Sequence, residues 1–155
     1  MAWEKKVIWS EGMMLQPHHF QQQSRYHESQ LRYSSSLCRP HFWGISSIEI
    51  DKSHLKNGKF CINAAEGILP DGSYFNFPII DTLPMAIDIN EDLLSTTIYL
   101  AVPIRRNGNT ETSRDSAIHS RYSIAEHEAR DVSGTSSTQQ IVEVSGLNFY
   151  LRTDK

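Results

Sequence analysis

Seven histidines are the first residues to test for chemistry, because imidazole both ligates metals and moves protons near neutral pH. His18 and His19 are adjacent. On a helix their side chains diverge by about 100° and cannot readily share a metal. His119 and His127 stand eight residues apart on a segment that reads as a strand, too far to chelate by themselves. There is no HExxH, and no cysteine pairs with a histidine at zinc-finger spacing. Glu126-His127-Glu128 sets two carboxylates beside an imidazole, which would favour the charged ring. In a strand, however, neighbours point to opposite faces, so the triplet reads as a solvated strand face. Serines are abundant, but no Gly-x-Ser-x-Gly elbow is present. Neither Cys38 nor Cys61 has a local setting that activates a thiolate. Asn107-Gly108-Asn109 is a simple turn, and Gly67 and Gly72 bracket a hairpin rather than a phosphate. The residues predict no catalytic site, no metal and no cofactor.

The bulk properties narrow the partners. A chain of 155 residues is the length of one domain with a real core. Its net charge of −3 lacks the basic excess that phosphate contacts demand, which argues against nucleic acid. The longest apolar run, Ile98 to Val102, is far short of the roughly 20 residues a bilayer span needs. Met1-Ala2-Trp3-Glu4-Lys5-Lys6 has no apolar core of a signal peptide. These features predict a cytoplasmic protein without membrane insertion. The two cysteines have no close spacing and read as reduced thiols, at least one of them in the core.

The elements follow from punctuation and periodicity. Trp3 to Trp9 alternates and reads as a first strand, broken by Gly12. Pro17 suits the first turn of a helix, where its missing N–H costs nothing. The helix runs from Pro17 to about Ser36, with His19, Tyr26, Tyr33 and Leu37 on one stripe and Phe20, His27 and Leu31 beside it. Ser34-Ser35-Ser36 weakens it and Pro40 ends it. Beyond Pro40 the period shortens to two. Ile48 and Ile50, then Phe60, Ile62 and Ala64, alternate with polar residues around an Asn57-Gly58 hairpin signal. Pro70-Asp71-Gly72 is a tight turn. Further strands are predicted near Met85–Ile89, Thr96–Ile104, His119–Glu128 and Gln140–Leu151, the last with a bulge at Ser145-Gly146. Residues 106–116 and 131–138 read as polar loops. One helix and about seven short strands predict a mainly β chain: a β-sandwich, residues 41–152, carrying an N-terminal arm and helix, residues 1–40.

What remains is the segment from Val7 to Gln23. It places Trp9, Met13, Met14, Leu15 and Phe20 around Gly12 and Pro17. Large apolar side chains beside a chain break are costly to leave wet, at about 25 cal/mol per Å². Trp, Met, Tyr and Arg are also the types enriched at interface cores. The segment reads as an arm that docks onto a partner. The candidate contacts are Trp9, Met13, Leu15, His19, Phe20, Arg25 and Tyr26. Glu11 is expected to act as a polar anchor, with Gly12 and Pro17 setting the path.

The pattern Val7-x-Trp9-x-Glu11-Gly12-Met13-x-Leu15-x-Pro17-x-His19-Phe20-Gln21 resembles the N-terminal signature of the TssK family, also called ImpJ or VasE. These are baseplate subunits of the bacterial type VI secretion system. The resemblance continues at Arg25-Tyr26, Phe42-Trp43-Gly44, Glu66-Gly67-Ile68-Leu69-Pro70-Asp71-Gly72, Phe75 and Pro78. It is looser at Leu100-Ala101-Val102-Pro103 and Gly146-Leu147-Asn148-Phe149. His18 departs from the family's usual glutamine, and Ser24 from a common acidic residue. The resemblance implies a single shoulder domain, residues 1–155, without the family's helical neck and C-terminal head. It implies a sandwich like the shoulder of a siphophage receptor-binding protein. It further implies a trimer in the full-length subunit, baseplate wedge proteins as partners, and contact with the membrane complex through the missing C-terminal part. On this basis the chain is expected to be a non-enzymatic adaptor at the cytoplasmic, inner-membrane-docked baseplate. The alternative is a carbohydrate-binding, phage-like sandwich in which Trp43, Tyr74 and Tyr99 stack sugars.

Overall fold

The structure is a computed structural model that describes residues 4–89, 96–106, 108–115, 119–130 and 139–154. Two helices and nine strands follow in chain order among them. These are α1 (Pro17–Cys38), β1 (Gly44–Ile50), α2 (Lys52–Lys56), β2 (Lys59–Phe60) and β3 (Ile62–Ile68). Then come β4 (Tyr74–Phe77), β5 (Ile87–Asp88), β6 (Ile98–Ala101), β7 (Tyr122–Arg130), β8 (Gln139–Leu147) and β9 (Tyr150–Thr153). The chain is mainly β with one long N-terminal helix. Among the described residues its strands lie in four small sheets, consistent with a sandwich: β1-β3-β4, β2-β5, β6-β9 and β7-β8. The loop predicted at 131–138 falls outside the described residues, as do Trp3 and part of 106–116.

The chain divides into two compact units, one of Met1–Ser46 with Gly67–Tyr74 and the other of Ser47–Glu66 with Phe75–Lys155. The second unit holds an apolar core of Ile62, Ala65, Phe75, Phe77, Leu147, Phe149 and Leu151. Phe75 and Phe77 fall on one face of β4 because strand side chains alternate. Both rings meet Phe149, at centroid distances of 5.3 and 4.7 Å, the second edge to face. Buried Asp81 ties this core to the end of β8. One carboxylate oxygen accepts the Leu147 N–H at 2.7 Å, and the other accepts the Asn76 N–H at 3.1 Å.

Four sequence expectations change here. Asn57-Gly58 does not close a hairpin. Asp51 caps α2 by accepting the Ser53 and His54 N–H groups, and Gly58, at φ 74°, follows the helix. The short Ser53 hydrogen bond, then the His54 contacts, hold the Asp51 carboxyl far below its usual range. Phe60 and Ile62 belong to different strands in different sheets, since the pairing changes at Cys61. Gly146 is no bulge: it stands in regular register opposite Ser123, and the predicted final strand is two strands separated by Asn148-Phe149. Neither thiol is in the core, Cys38 being exposed and Cys61 half-buried.

Candidate docking surface

The first unit is built around α1. Gln16 is its N-cap residue and Pro17 stands in its first turn. The His19 ring reaches back, its Nδ1 accepting the Gln16 backbone N–H at 3.0 Å, the reciprocal half of a capping box. The serine run does not shorten the helix. The Ser36 hydroxyl donates to the Tyr33 carbonyl at 2.8 Å, and the Arg39 N–H closes on the Ser35 carbonyl at 3.2 Å. The next residue, Pro40, prevents continuation.

Residues 5–10 form no strand, because they pair with no sheet. They form a strap along α1. The Glu4 carboxylate accepts from Arg32 Nη2 at 2.6 Å and from the Tyr33 hydroxyl at 3.0 Å. Gln22 Nε2 donates to the Lys5 carbonyl at 2.7 Å, and the Trp9 indole lies 6.3 Å from the His19 ring and 6.2 Å from Phe20. The alternation read from the sequence does not persist: Val7 is half-covered, but Trp9, expected on the same face, is exposed, as are Lys5, Lys6 and Ile8. The Arg32 hydrogen bond, with that of Tyr33, holds the Glu4 carboxyl below its ordinary value.

The strap then turns. The Met13 N–H closes on the Ser10 carbonyl at 3.2 Å, and Gly12 takes φ 75°, a conformation that penalises any Cβ. On the same unit, the Pro70-Asp71-Gly72 turn packs against the helix. A Cβ on Gly72, which has φ 85°, would stand 3.0 Å from the Arg32 Cγ. Arg32 is thus shared by strap and turn, and lies 4.9 Å over the Tyr33 ring.

This geometry sorts the predicted contacts. Trp9, Leu15 and Phe20 are exposed, as are the unpredicted Ile8 and Met14. Met13, Arg25 and Tyr26 are half-buried, and the Tyr26 ring lies 5.4 Å from that of His27. His19 is half-buried and engaged as a cap. Glu11 is exposed, and among the described residues nothing donates to its carboxylate; Glu4 holds the anchoring role instead. Glu4 carried no sequence signal beyond its charge, since its partners lie 28 and 29 residues away. The covered stripe of α1 is polar, with Gln22, Gln23, Ser29 and Arg32, while Phe20, Leu31 and Leu37 face outward. A helix that packs its donors on the strap's carbonyl and carboxylate must turn its apolar residues elsewhere.

The remaining chemistry is sparse. Among the described residues no three His, Cys, Asp or Glu side chains gather where they could hold a metal, and no helix is long and apolar enough to cross a membrane. In the second unit an open cleft of about 520 Å³ runs beside β7 and β8, lined by Ser113, Ser120, Glu126, Glu143, Asn148 and Tyr150. Glu126 and Glu143 face each other across the strands, and Arg114 pairs with Glu143. His127 lies on the other face of the ribbon, opposite Val142. Trp43, Tyr74 and Tyr99 are each about half exposed. Among the described residues, no ring contact joins Trp43 and Tyr74, which share the first unit.

Residues 19–155 match the family of bacterial type VI secretion proteins described as EvfL, ImpJ and VasE. The chain belongs to that family. It is 34% identical, over its whole length, to the type VI secretion system baseplate component TssK1 of Pseudomonas aeruginosa, of which it covers 35%. A crystal structure of TssK superposes on 97% of the chain with a TM-score of 0.88 at 31% identity, and again only 35% of that protein is covered. A TssK-TssF-TssG baseplate subcomplex solved by cryo-electron microscopy contains a chain of the same fold, with a TM-score of 0.83 at 23% identity over 97% of this chain and 51% of that one. The chain therefore spans about a third of the curated relative it matches. The VasE family match begins at His19, so the strap and turn precede the matched stretch.

Proposed function

We propose that this chain is the docking module of a type VI secretion baseplate subunit. It is a shoulder domain with a structural, non-enzymatic role that grips the cytoplasmic baseplate wedge. The single observation that carries this reading is the arm. A strap pinned at Glu4, Lys5 and Trp9 presents Ile8, Met14, Leu15 and Phe20 to solvent. Ordering such side chains on a braced backbone lowers the entropy cost of binding. The solved TssK-TssF-TssG subcomplex supports TssF- and TssG-like wedge proteins as the partners. In this reading the rest of the subunit, outside this chain, supplies the trimer contacts and the link to the membrane complex at the inner membrane.

The test is Trp9→Ala combined with Phe20→Ala. Both side chains are about half exposed, so the fold should persist. Anchors of this type cost about 2 kcal/mol or more when truncated, roughly thirtyfold in affinity. The expected result is loss of co-purification with the wedge proteins and an unchanged thermal transition. Normal co-purification would remove the arm as the docking site.

A further inference from the structure

His19 makes contacts that a side chain reserved for a partner would not make. It is half-buried, its Nδ1 accepts the Gln16 backbone N–H at 3.0 Å, and its ring lies 6.3 Å from Trp9 and 4.9 Å from His18. Glutamate or glutamine ordinarily closes a capping box at this position. An imidazole does so only when neutral, with its proton on Nε2. Protonation would turn Nδ1 into a donor aimed at another donor. It would also put a positive charge at the positive end of the helix dipole. We propose that His19 is a positioning residue rather than a partner contact. As the neutral imidazole it caps α1 and braces the Trp9 indole, so the arm is presented for docking only while Nδ1 is unprotonated.

The contacts of His19 leave that proton uncompensated. The helix contributes the His18 ring, the strap contributes the Trp9 indole, and no carboxylate, Glu11 included, hydrogen-bonds or ion-pairs with His19 among the described residues. The consequence for docking rests on the reading proposed above; the cap itself does not.

The experiment compares the wild-type chain with His19→Gln, which restores the usual capping-box acceptor, and His19→Ala, which removes it. The first measurement needs no partner: the hydrogen-exchange protection of the Gln16 amide by NMR, corrected for intrinsic rates, from pH 7.5 to 5.5. Wild-type protection should fall about five- to tenfold when Nδ1 is protonated and can no longer accept the Gln16 N–H. It should stay high and flat in His19→Gln and low throughout in His19→Ala. Equal protection in wild type and His19→Ala at pH 7.5, or a flat wild-type profile, overturns the proposal. The second measurement is capture of the wedge proteins at both pH values. His19→Gln should bind at both, whereas wild type should lose at least fivefold at pH 5.5. If His19→Gln fails to bind while its Gln16 amide stays protected, the ring is a contact and the positioning role is wrong. Normal binding by the Trp9, Phe20 double variant sinks the docking reading alone, and the Gln16 protection still decides the cap.

Discussion

Replacing Glu4 with glutamine isolates what holds the strap. The carboxylate accepts from Arg32 at 2.6 Å and from Tyr33 at 3.0 Å, with the Arg32 and Glu4 side chains each about a third exposed. A buried charge-assisted pair would contribute more, but solvent screens this one. The loss is therefore set near that of an exposed ion pair, about 1 kcal/mol. That raises the open population about fivefold. Lys5 and Lys6 sit in the strap, so tryptic cleavage there reports opening, provided the strap recloses faster than it is cut. Glu4→Gln should be cleaved about fivefold faster than wild type at pH 8. High salt should bring wild type toward the variant. The pH dependence has a definite sign. Arg32 and Tyr33 hold the folded-state carboxyl below its ordinary value of 4.5. The stabilisation is therefore complete above that value and is lost as pH falls through the lowered one. Glu4→Gln should lack this acid-sensitive component. Equal cleavage of the two proteins, unaffected by salt, would mean that the ion pair does not tether the strap.

Further substitutions test the packing that supports the arm and core. Asp81→Ala removes the acceptor of two backbone N–H groups, one of them buried, and should cost about 2–4 kcal/mol in urea unfolding. Phe149→Ala opens a cavity between Phe75 and Phe77 and should cost about 3–5 kcal/mol, with loss of near-ultraviolet dichroism. Gly72→Ala meets both a φ of 85° and the Arg32 side chain, and should cost about 1–2 kcal/mol by thermal unfolding. Gly12→Ala, with φ 75° and nothing within 4 Å, should cost no more than the backbone penalty.

What the sequence made legible was local, and what it hid was pairing. Pro17, Pro40 and the glutamine-rich run between them announce α1, because helix signals lie within a few residues of what they control. The Pro70-Asp71-Gly72 turn was equally readable: the Leu69 N–H closes on the Ser73 carbonyl at 2.8 Å. The strap was not legible because its tethers, Glu4 to Arg32 and Lys5 to Gln22, join residues 28 and 17 positions apart. The break at Cys61 was also invisible, since β2 and β3 share one alternating pattern but face different partners. Of the candidate site, the exposure of Trp9, Leu15 and Phe20 agrees with their reading as surface residues, whereas the Glu4 tether and the His19 capping bond leave no mark on residue type, because both are through-space hydrogen bonds.

The arrangement of polar and apolar groups on the first unit bears on why the arm is there. A strap whose only task was to cover α1 would turn Ile8, Met14 and Leu15 inward, where burial stabilises a side chain by about 1.5–3 kcal/mol. Here the internal contacts are instead largely polar: a carboxylate on Arg32 and Tyr33, a carbonyl on Gln22, an imidazole on the Gln16 N–H. Polar tethers of this kind contribute little net stability in water, but they are directional and fix where the backbone runs. Ile8 and Met14 remain more than three-quarters exposed on that fixed path. The unit thus forgoes apolar burial within itself and keeps geometry. That exchange is favourable only when another surface covers those side chains. It also places control of the surface in a group that responds to acid. Loss of the Glu4 tether as pH falls through its lowered value should loosen the arm while leaving the Phe75, Phe77 and Phe149 core untouched.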